Sequence, residues 1–472
     1  MDKFFKISER GSNVKTEIIA GLTTFFAMAY IIVVNPNQIV GFSFDVPGVP
    51  AIWNAVYIAS IIAAVIGTML YAIYANLPFA QACGMGLNSF FFTSFVLPQI
   101  IAGGDVIEGY QAGLVIILVS GLIFLLLSIT GARQYIAKAM PDCIKKAIPA
   151  GIGLFIAFIG FQNVGIIQAN QYTLVQFVKI NGAKWADIAP AIIALLGFII
   201  IAILTKLNVK GAVLVGILAT TVIYYVATWQ LPSFDISSVT APFKDFAEIG
   251  ITGVFKAASW KNAFSGEMLG GIFSVIMLIV TFCLVDMFDT IGTLYGAASE
   301  ADMLDENGDP VDIDKSMTCD SIATVSGAVC GTSTVTTYVE STAGISAGGK
   351  TGLTSTVTGI CFVLAMFLSP ILGFVPSAAT APVLIVVGVM MASALKDIEW
   401  TDIEVAIPAF LTVICMPLFY SITDGIAFGF ISFLVVKLAS RKVKEIHPLM
   451  YVVVALFLLK YVISALTALG IL

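Results

Sequence analysis

The feature that most constrains this chain is a series of long apolar windows repeated from one end to the other. Ile192–Leu204, Gly211–Val226, Val357–Leu368 and Tyr451–Leu459 each sit inside such a window. A helix that crosses a bilayer needs about 20 mostly apolar residues, and no water-soluble core has room for so many windows of that kind. Composition agrees, with 59% hydrophobic and 11% charged residues and a mean hydropathy of +1.01. Lipid is therefore the solvent of this chain, and its 472 residues allow a dozen or more helices in one bundle.

Lys3, Lys6, Arg10 and Lys15 precede the apolar run Ile18–Val34. That run is too long for a signal h-region and lacks a clear small-residue cleavage site, so it reads as an uncleaved first span. Five of the seven cysteines, Cys83, Cys283, Cys330, Cys361 and Cys415, fall in apolar segments without metal-type spacing and read as small packing residues. The formal charge of −6 comes largely from seven carboxylates between Glu300 and Asp314. These read as one solvated loop, with nothing to suggest nucleic acid as a partner. The run Asp305–Asp309 within it lacks the alternating spacing and terminal Glu of a calcium loop, and reads as a polar turn.

Basic residues cluster in the loops around Arg133–Lys146, Lys206–Lys210 and Arg441–Lys444, whereas Gly103–Tyr110 and Ser369–Ala379 carry none. The positive-inside rule then places the N-terminus in the cytoplasm, and the expected location is the cell membrane. Helices are expected near 16–36, 54–75, 82–102, 108–130, 143–162, 187–205 and 211–229. A second seven follows near 268–298, 317–331, 336–348, 352–373, 380–395, 404–420 and 423–440. Trp185-Ala186-Asp187-Ile188 before the sixth helix recurs as Trp400-Thr401-Asp402-Ile403 before the thirteenth. Seven is odd, so the second copy begins on the opposite side of the membrane. Inverted repeats of this kind build secondary transporters, with a substrate site near the midplane. The stretch His447–Leu472, with Lys460 in its middle, either spans or lies at the interface.

Two segments make poor spanning helices, Gln81–Ser89 because of Gly84 and Gly86, and Thr332–Thr342 because Thr334–Val339 is β-branched and aromatic. Non-helical backbone survives at membrane depth only where it is buried in protein or lines a cavity. Both segments occupy the third place of a repeat, which predicts two short strands near the midplane. Each would feed a half-helix, one beginning at Asn88–Ser89 and the other at Glu340–Ser341, with free N–H groups aimed into a cavity.

In Ile276–Ala298, Asp286 and Asp289 lie three apart in an apolar run, with Thr290, Gly292 and Thr293 following. An acid at membrane depth costs several kcal/mol by some estimates, which makes it a functional candidate. Asp289 and Glu340 read as functional, with no Lys or Arg in either segment. Asp286 reads as paired with a polar group of a neighbouring helix. Asn88 suits either capping or solute binding, Gly86 suits close backbone approach, and Phe90–Phe92 reads as packing.

At these residues the sequence resembles the adenine/guanine/hypoxanthine permeases, the azaguanine-type branch of the nucleobase–ascorbate transporter (xanthine/uracil permease) superfamily. The resemblance rests on four stretches: Glu17–Tyr30, Gly84–Asn88, Asp286–Leu294 and Glu340–Gly344. It implies an all-α polytopic fold of fourteen segments as 7+7 inverted repeats, with short antiparallel strands in segments 3 and 10. The implied division gives the core residues 1–135 and 268–375 and the gate residues 136–232 and 376–442. An extracellular or periplasmic loop is implied at 233–267, and an extra apolar helix at 443–472. A purine base is implied between core and gate, bound by Asp289 and Glu340. Asn88 and Gly86 match third-helix substrate positions, and Thr293 and Ser341 complete the candidate set. Uracil and xanthine carriers differ at related places, which implies purine rather than pyrimidine selectivity.

Burial and a second nearby acid both favour the protonated carboxyl, so one of Asp289 and Glu340 is expected to take a proton near neutral pH. The expected activity is import of adenine, guanine or hypoxanthine by proton symport, the core moving against the gate, with Na⁺ in place of H⁺ left open. No cofactor or metal is called for. An enzyme is disfavoured because the chain has a single histidine, His447, and no His-Glu-x-x-His cluster. An anion or solute channel is disfavoured by deep acids, and a carrier of another planar small molecule is the remaining alternative. Small-xxx-small patterns are compatible with a homodimer and too frequent to locate its interface.

Overall fold

The computed structural model describes residues 2–41, 44–131, 140–209, 211–229, 240–265, 268–269, 271–300, 303–304, 310–368 and 374–468. Portions of the expected 133–146, 206–210, 233–267 and 369–379 loops, and the Asp305–Asp309 turn, lie outside the described residues. After one helical turn at Asp2–Phe5, the first span divides into α1 (Val14–Met28) and α2 (Ile31–Ile39), and α3 follows at Val49–Leu70. The third segment is β1 (Gln81–Cys83), α4 (Met85–Phe91), a π turn at Phe92–Val96 and α5 (Leu97–Ala102). Then come α6 (Val106–Thr130), α7 (Asp142–Asn163), a hairpin of β2 (Ile167–Asn170) and β3 (Leu174–Phe177), α8 (Trp185–Lys206) and α9 (Ala212–Thr228).

The second half holds α10 (Ile272–Glu300), α11 (Ile313–Cys330), β4 (Val335–Thr337), α12 (Ser341–Ser346) and α13 (Gly352–Ala365). It ends with α14 (Ser377–Ala392), α15 (Ile403–Phe419), α16 (Ile422–Ala439) and α17 (Pro448–Ala468). Between the halves, the expected loop carries two short helices, Ala241–Asp245 and Ala257–Phe264. The helix starts are marked by side-chain caps: Asp105 accepts from Ile107 N–H before α6, Thr351 from Leu353 N–H before α13, and Ser421 from Asp424 N–H before α16.

Among the described residues, nine helices are long and apolar enough to cross a membrane, and α9, α13, α15 and most of α17 form shorter apolar helices. A 17-residue helix is about 26 Å long, close to the thickness of the hydrocarbon layer. The undecided C-terminal stretch is therefore a helix, and Lys460 within it pairs with Asp424 of α16. The helices pack as two groups. In one, α13 packs on α1 and on α3, and α11 packs on α3 and α6; in the other, α7 packs on α14 and α15, and α8 on α9 and α14.

β1 and β4 join the two halves as an antiparallel pair, with Gln81 opposite Thr337, Ala82 opposite Thr336 and Cys83 opposite Val335. All six residues are buried. Thr68 of α3 holds the outward N–H and C=O of Gln81, and Thr324 of α11 does the same for Val335. These threonines sit on the second helix of each half, so the inverted relationship reaches individual side chains. The Trp-x-Asp-Ile pair is less regular. Trp185 opens α8 with Asp187 in its first turn, whereas Asp402 is itself the N-cap of α15.

One expectation for the half-helices is corrected. The first begins at Met85, three residues before the expected Asn88, because Gly84 is still extended (φ −70°, ψ 110°) and Asn88 N–H already bonds Gly84 C=O. Asn88 is thus inside α4 and cannot cap it. The second begins at Ser341, with Glu340 at its N-cap position.

Candidate functional site

The two strand–helix crossings lie beside the middle of α10, and together they wall a recess of about 100 Å³ that is open to solvent. Gly84, Met85 and Gly86 come from the first crossing and Thr336–Glu340 from the second, while α10 supplies Asp289 and Thr293. The opposite wall is apolar: Val387, Met390 and Met391 of α14.

The crossings are locked to each other by bonds that avoid the recess. Tyr338 N–H donates to Ala80 C=O, Gly84 N–H to Thr334 C=O, and Tyr338 O–H to Cys83 C=O at 2.6 Å. Ser341 Oγ accepts from Ala80 N–H at 3.0 Å. A Cβ at 84 would stand 3.2 Å from Thr336 Cγ2, a tight fit, and 4.0 Å from Asp289 Oδ2, an ordinary contact. Gly86 is tighter still. A Cβ at 86 would fall 2.4 Å from Ile152 Cγ2 on α7, so only glycine permits this approach between the two helix groups.

Two acids with different surroundings face the recess. Glu340 Oε1 accepts from the Tyr30 phenol, which sits at the break between α1 and α2. Asp289 forms no hydrogen bond or ion pair with any described residue. An unpaired acid at membrane depth costs about 3 kcal/mol or more unless it lines a polar cavity or meets a ligand. Neither acid has a cationic partner among the described residues. No group of three or more His, Cys, Asp or Glu among them is arranged to hold a metal ion.

Of the six candidate residues, Asp289, Glu340, Gly86 and Thr293 line the recess. Asn88 and Ser341 are not among the lining residues. Asn88 is fully buried, its Oδ1 accepting from Ser333 and its Nδ2 donating to Gln38 at 3.2 Å, so its amide is consumed in tying α4 to α2 and to the approach to β4. Ser341 is spent on Ala80. Asp286 is buried against Thr324 of α11, the polar partner on a neighbouring helix that the sequence suggested. Asp320 was missed. It is fully buried on α11 and accepts from Gln81, Thr290 and Thr337, joining β1, α10 and β4 behind the recess. Its signal was present, an acid in the run Met317–Cys330 that deserved the same weight as Asp289. The apolar wall of α14 gave no signal, because methionine and valine in a spanning helix are ordinary.

Against this geometry, the family model described as Permease family (Xan_ur_permease) matches residues 15–428. The chain belongs to that permease family. It is a transporter rather than an enzyme, and a multi-pass membrane protein. The permease is 42% identical to the guanine/hypoxanthine permease PbuG of Bacillus subtilis (strain 168), over 98% of this chain and 99% of that one. It is 38% identical to the adenine permease AdeP of Escherichia coli (strain K12), over 98% of this chain and 96% of that one. In fold it is similar to the transmembrane domain of a cyanobacterium bicarbonate transporter, BicA, with a TM-score of 0.59 at 15% identity, covering 90% of this permease and 97% of that chain. At that identity the likeness concerns the fold alone, which is that of the 7+7 inverted-repeat transporters.

Proposed function

We propose that this permease imports purine nucleobases, adenine, guanine or hypoxanthine, across the cell membrane by proton symport, with its N-terminus in the cytoplasm. The observation that carries this reading is the Asp289 carboxylate, unpartnered among the described residues and open to a recess that Glu340 also lines. A purine presents ring N–H donors and acceptor atoms along one edge. Carboxylates accept the donors, and the Thr293 hydroxyl and the amides at the start of α4 answer the acceptors. A site built to pair polar edges rejects a molecule that leaves them unpaired. Met390, Met391 and Val387 meet the ring plane on the other side, where thioether sulfur packs well against aromatic faces. The relatives whose names specify guanine, hypoxanthine or adenine support the same substrate class.

A proton on one of Asp289 and Glu340 lowers the cost of two acids in one recess, which gives the coupling its physical basis. The core, taken as 1–135 and 268–375, then moves against the gate, 136–232 and 376–442, carrying base and proton together. The contact between Gly86 and Ile152 lies at that boundary.

The test is uptake of radiolabelled purines into proteoliposomes under an imposed pH gradient, with Na⁺ replaced by choline in a parallel series. Uptake that collapses with an uncoupler, persists without Na⁺, and is lost in Asp289→Asn and Glu340→Gln supports the reading. Uptake indifferent to the uncoupler and to both substitutions ends it, and dependence on Na⁺ reassigns the coupling ion.

A further inference from the structure

Behind the recess, two buried acids within electrostatic reach of each other have very different donor sets. Asp320 and Asp286 are 0% and 1% exposed. Asp320 accepts from Gln81 Nε2 at 2.7 Å, from Thr337 Oγ1 at 3.1 Å and from Thr290 Oγ1. Three donors suit an ionised carboxylate. Asp286 touches one polar group, with Oδ2 2.7 Å from Thr324 Oγ1, and its Oδ1 has no partner.

The Thr324 hydroxyl decides which form of Asp286 fits. It accepts from Val335 N–H at 3.1 Å and stands 3.1 Å from Val335 C=O. Thr68, its counterpart on α3, accepts from Gln81 N–H at 3.0 Å and donates to Gln81 C=O at 3.2 Å, with no acid beside it. A hydroxyl carries one hydrogen. If Thr324 uses it as Thr68 does, on the strand carbonyl, nothing is left to donate to Asp286, and the hydrogen between them belongs to the acid. If Asp286 were ionised, either the acid or the Val335 carbonyl would be buried without a donor.

We propose that Asp286 is held as a neutral acid that donates its carboxyl hydrogen to Thr324 Oγ1, and is a positioning residue that fixes β4 and with it one side of the base site. Val335 leads directly into Thr336–Glu340, so the hydrogen on Asp286 completes a chain from α10 through α11 to the recess. The acids and thiols on the same or the packed helix are Asp320 of α11 and Asp289 and Cys283 of its own helix. The helix α6, packed on α10, has titratable groups only at Glu108 and Tyr110 near its start, β4 has none, and Lys315 at the start of α11 pairs with Asp312. Among the described residues no cation forms a hydrogen bond or ion pair with Asp286.

The proposal rests on the recess being the base site only for its second arm. In the first, infrared spectra of the purified permease in nanodiscs without purine are recorded for wild type and Asp286→Asn. The expected difference is loss of a protonated carboxylic acid C=O band in the variant. A difference confined to the carboxylate bands overturns the proposal, and this arm is independent of any substrate. In the second, hypoxanthine, guanine and adenine binding is measured at neutral pH. Asp286→Asn, which keeps a neutral donor to Thr324, should hold affinity within about threefold, whereas Asp286→Leu should lose at least about tenfold. Equal losses in the two folded variants overturn the positioning role. If Asp286→Leu does not fold, an Asp286→Asn loss of tenfold or more does the same. Absence of binding by wild type refutes the base-site reading and leaves the infrared result standing.

Discussion

The Tyr30 phenol donates its hydrogen to Glu340 Oε1, binding the break in the first span to the N-cap of the half-helix α12 across 310 positions of sequence. Tyr30 is 1% exposed, so this bond is shielded from water and fixes one oxygen of an acid whose other side faces the recess. Replacing Tyr30 by Phe keeps the ring and removes the donor. Leaving a buried acceptor short of one donor costs about 1–3 kcal/mol. The expected outcome is at least about tenfold weaker purine binding by calorimetry with a melting temperature changed by only a few degrees. Unchanged affinity would show that Glu340 needs no such support.

How much of this was legible in the sequence follows from which interactions are local. Apolar windows and the two interrupted segments depend on composition along the chain and are found as read, whereas the antiparallel pairing of β1 with β4 was implied by the family resemblance. Asp289 and Glu340 stood out because an acid in an apolar segment is costly wherever the segment folds. Asn88 and Ser341 stand out only as polar groups at the expected half-helix starts, and their partners, Gln38, Ser333 and Ala80, come from distant segments that sequence spacing does not bring together. The start of α4 was set too late because Gly84, and not Asn88, ends the extended backbone. The β2–β3 hairpin after α7 is an element beyond the expected helices, with strand composition at Leu174–Phe177 in the connection between two spans.

At Gly86 the expected effect is steric. An added Cβ would meet Ile152 Cγ2 at 2.4 Å, across the boundary between α4 and α7. Ile152 is 2% exposed and β-branched, so its methyl has little room to turn aside. Gly86→Ala should abolish most uptake while the protein still reaches the membrane and elutes as a single species. Adding Ile152→Ala, which removes the offending methyl, should restore a measurable fraction of uptake. A Gly86→Ala variant that transports normally would show that this contact loosens freely.

The apolar wall of α14 offers a separate handle. Met390 is 46% exposed and lines the recess opposite the acids. Truncation to Ala removes thioether contact with a bound ring, for about 1 kcal/mol of affinity, roughly fivefold. Because the polar edge is read by other residues, the pH dependence of binding should stay as in wild type, while analogues with bulk away from that edge should gain relative to the parent base. Competition binding at two pH values separates the two effects, and a changed pH dependence would place Met390 in the polar half of the site.

The ion pair that carries α17 makes the last case. Lys460 Nζ lies 2.7 Å from Asp424 Oδ1, and the Tyr461 hydroxyl donates to the same oxygen at 2.8 Å. Asp424 occupies the first turn of α16, where its N–H bonds the Ser421 cap and the helix dipole favours negative charge. Lys460 has no such local support in the middle of an apolar helix, so the pair matters more to the lysine than to the acid. With side chains 19% and 27% exposed, removal of one partner should cost less than for a fully buried pair, about 1–3 kcal/mol. Asp424→Leu, which strands the lysine, should therefore lower the melting temperature more than Lys460→Met, which leaves an acid still held by Tyr461 and the helix start. The double variant, with no charge to strand, should recover most of the loss. Additive losses in the double variant would mean that α17 is held by its apolar contacts, such as Phe457 on Phe430, and not by this pair.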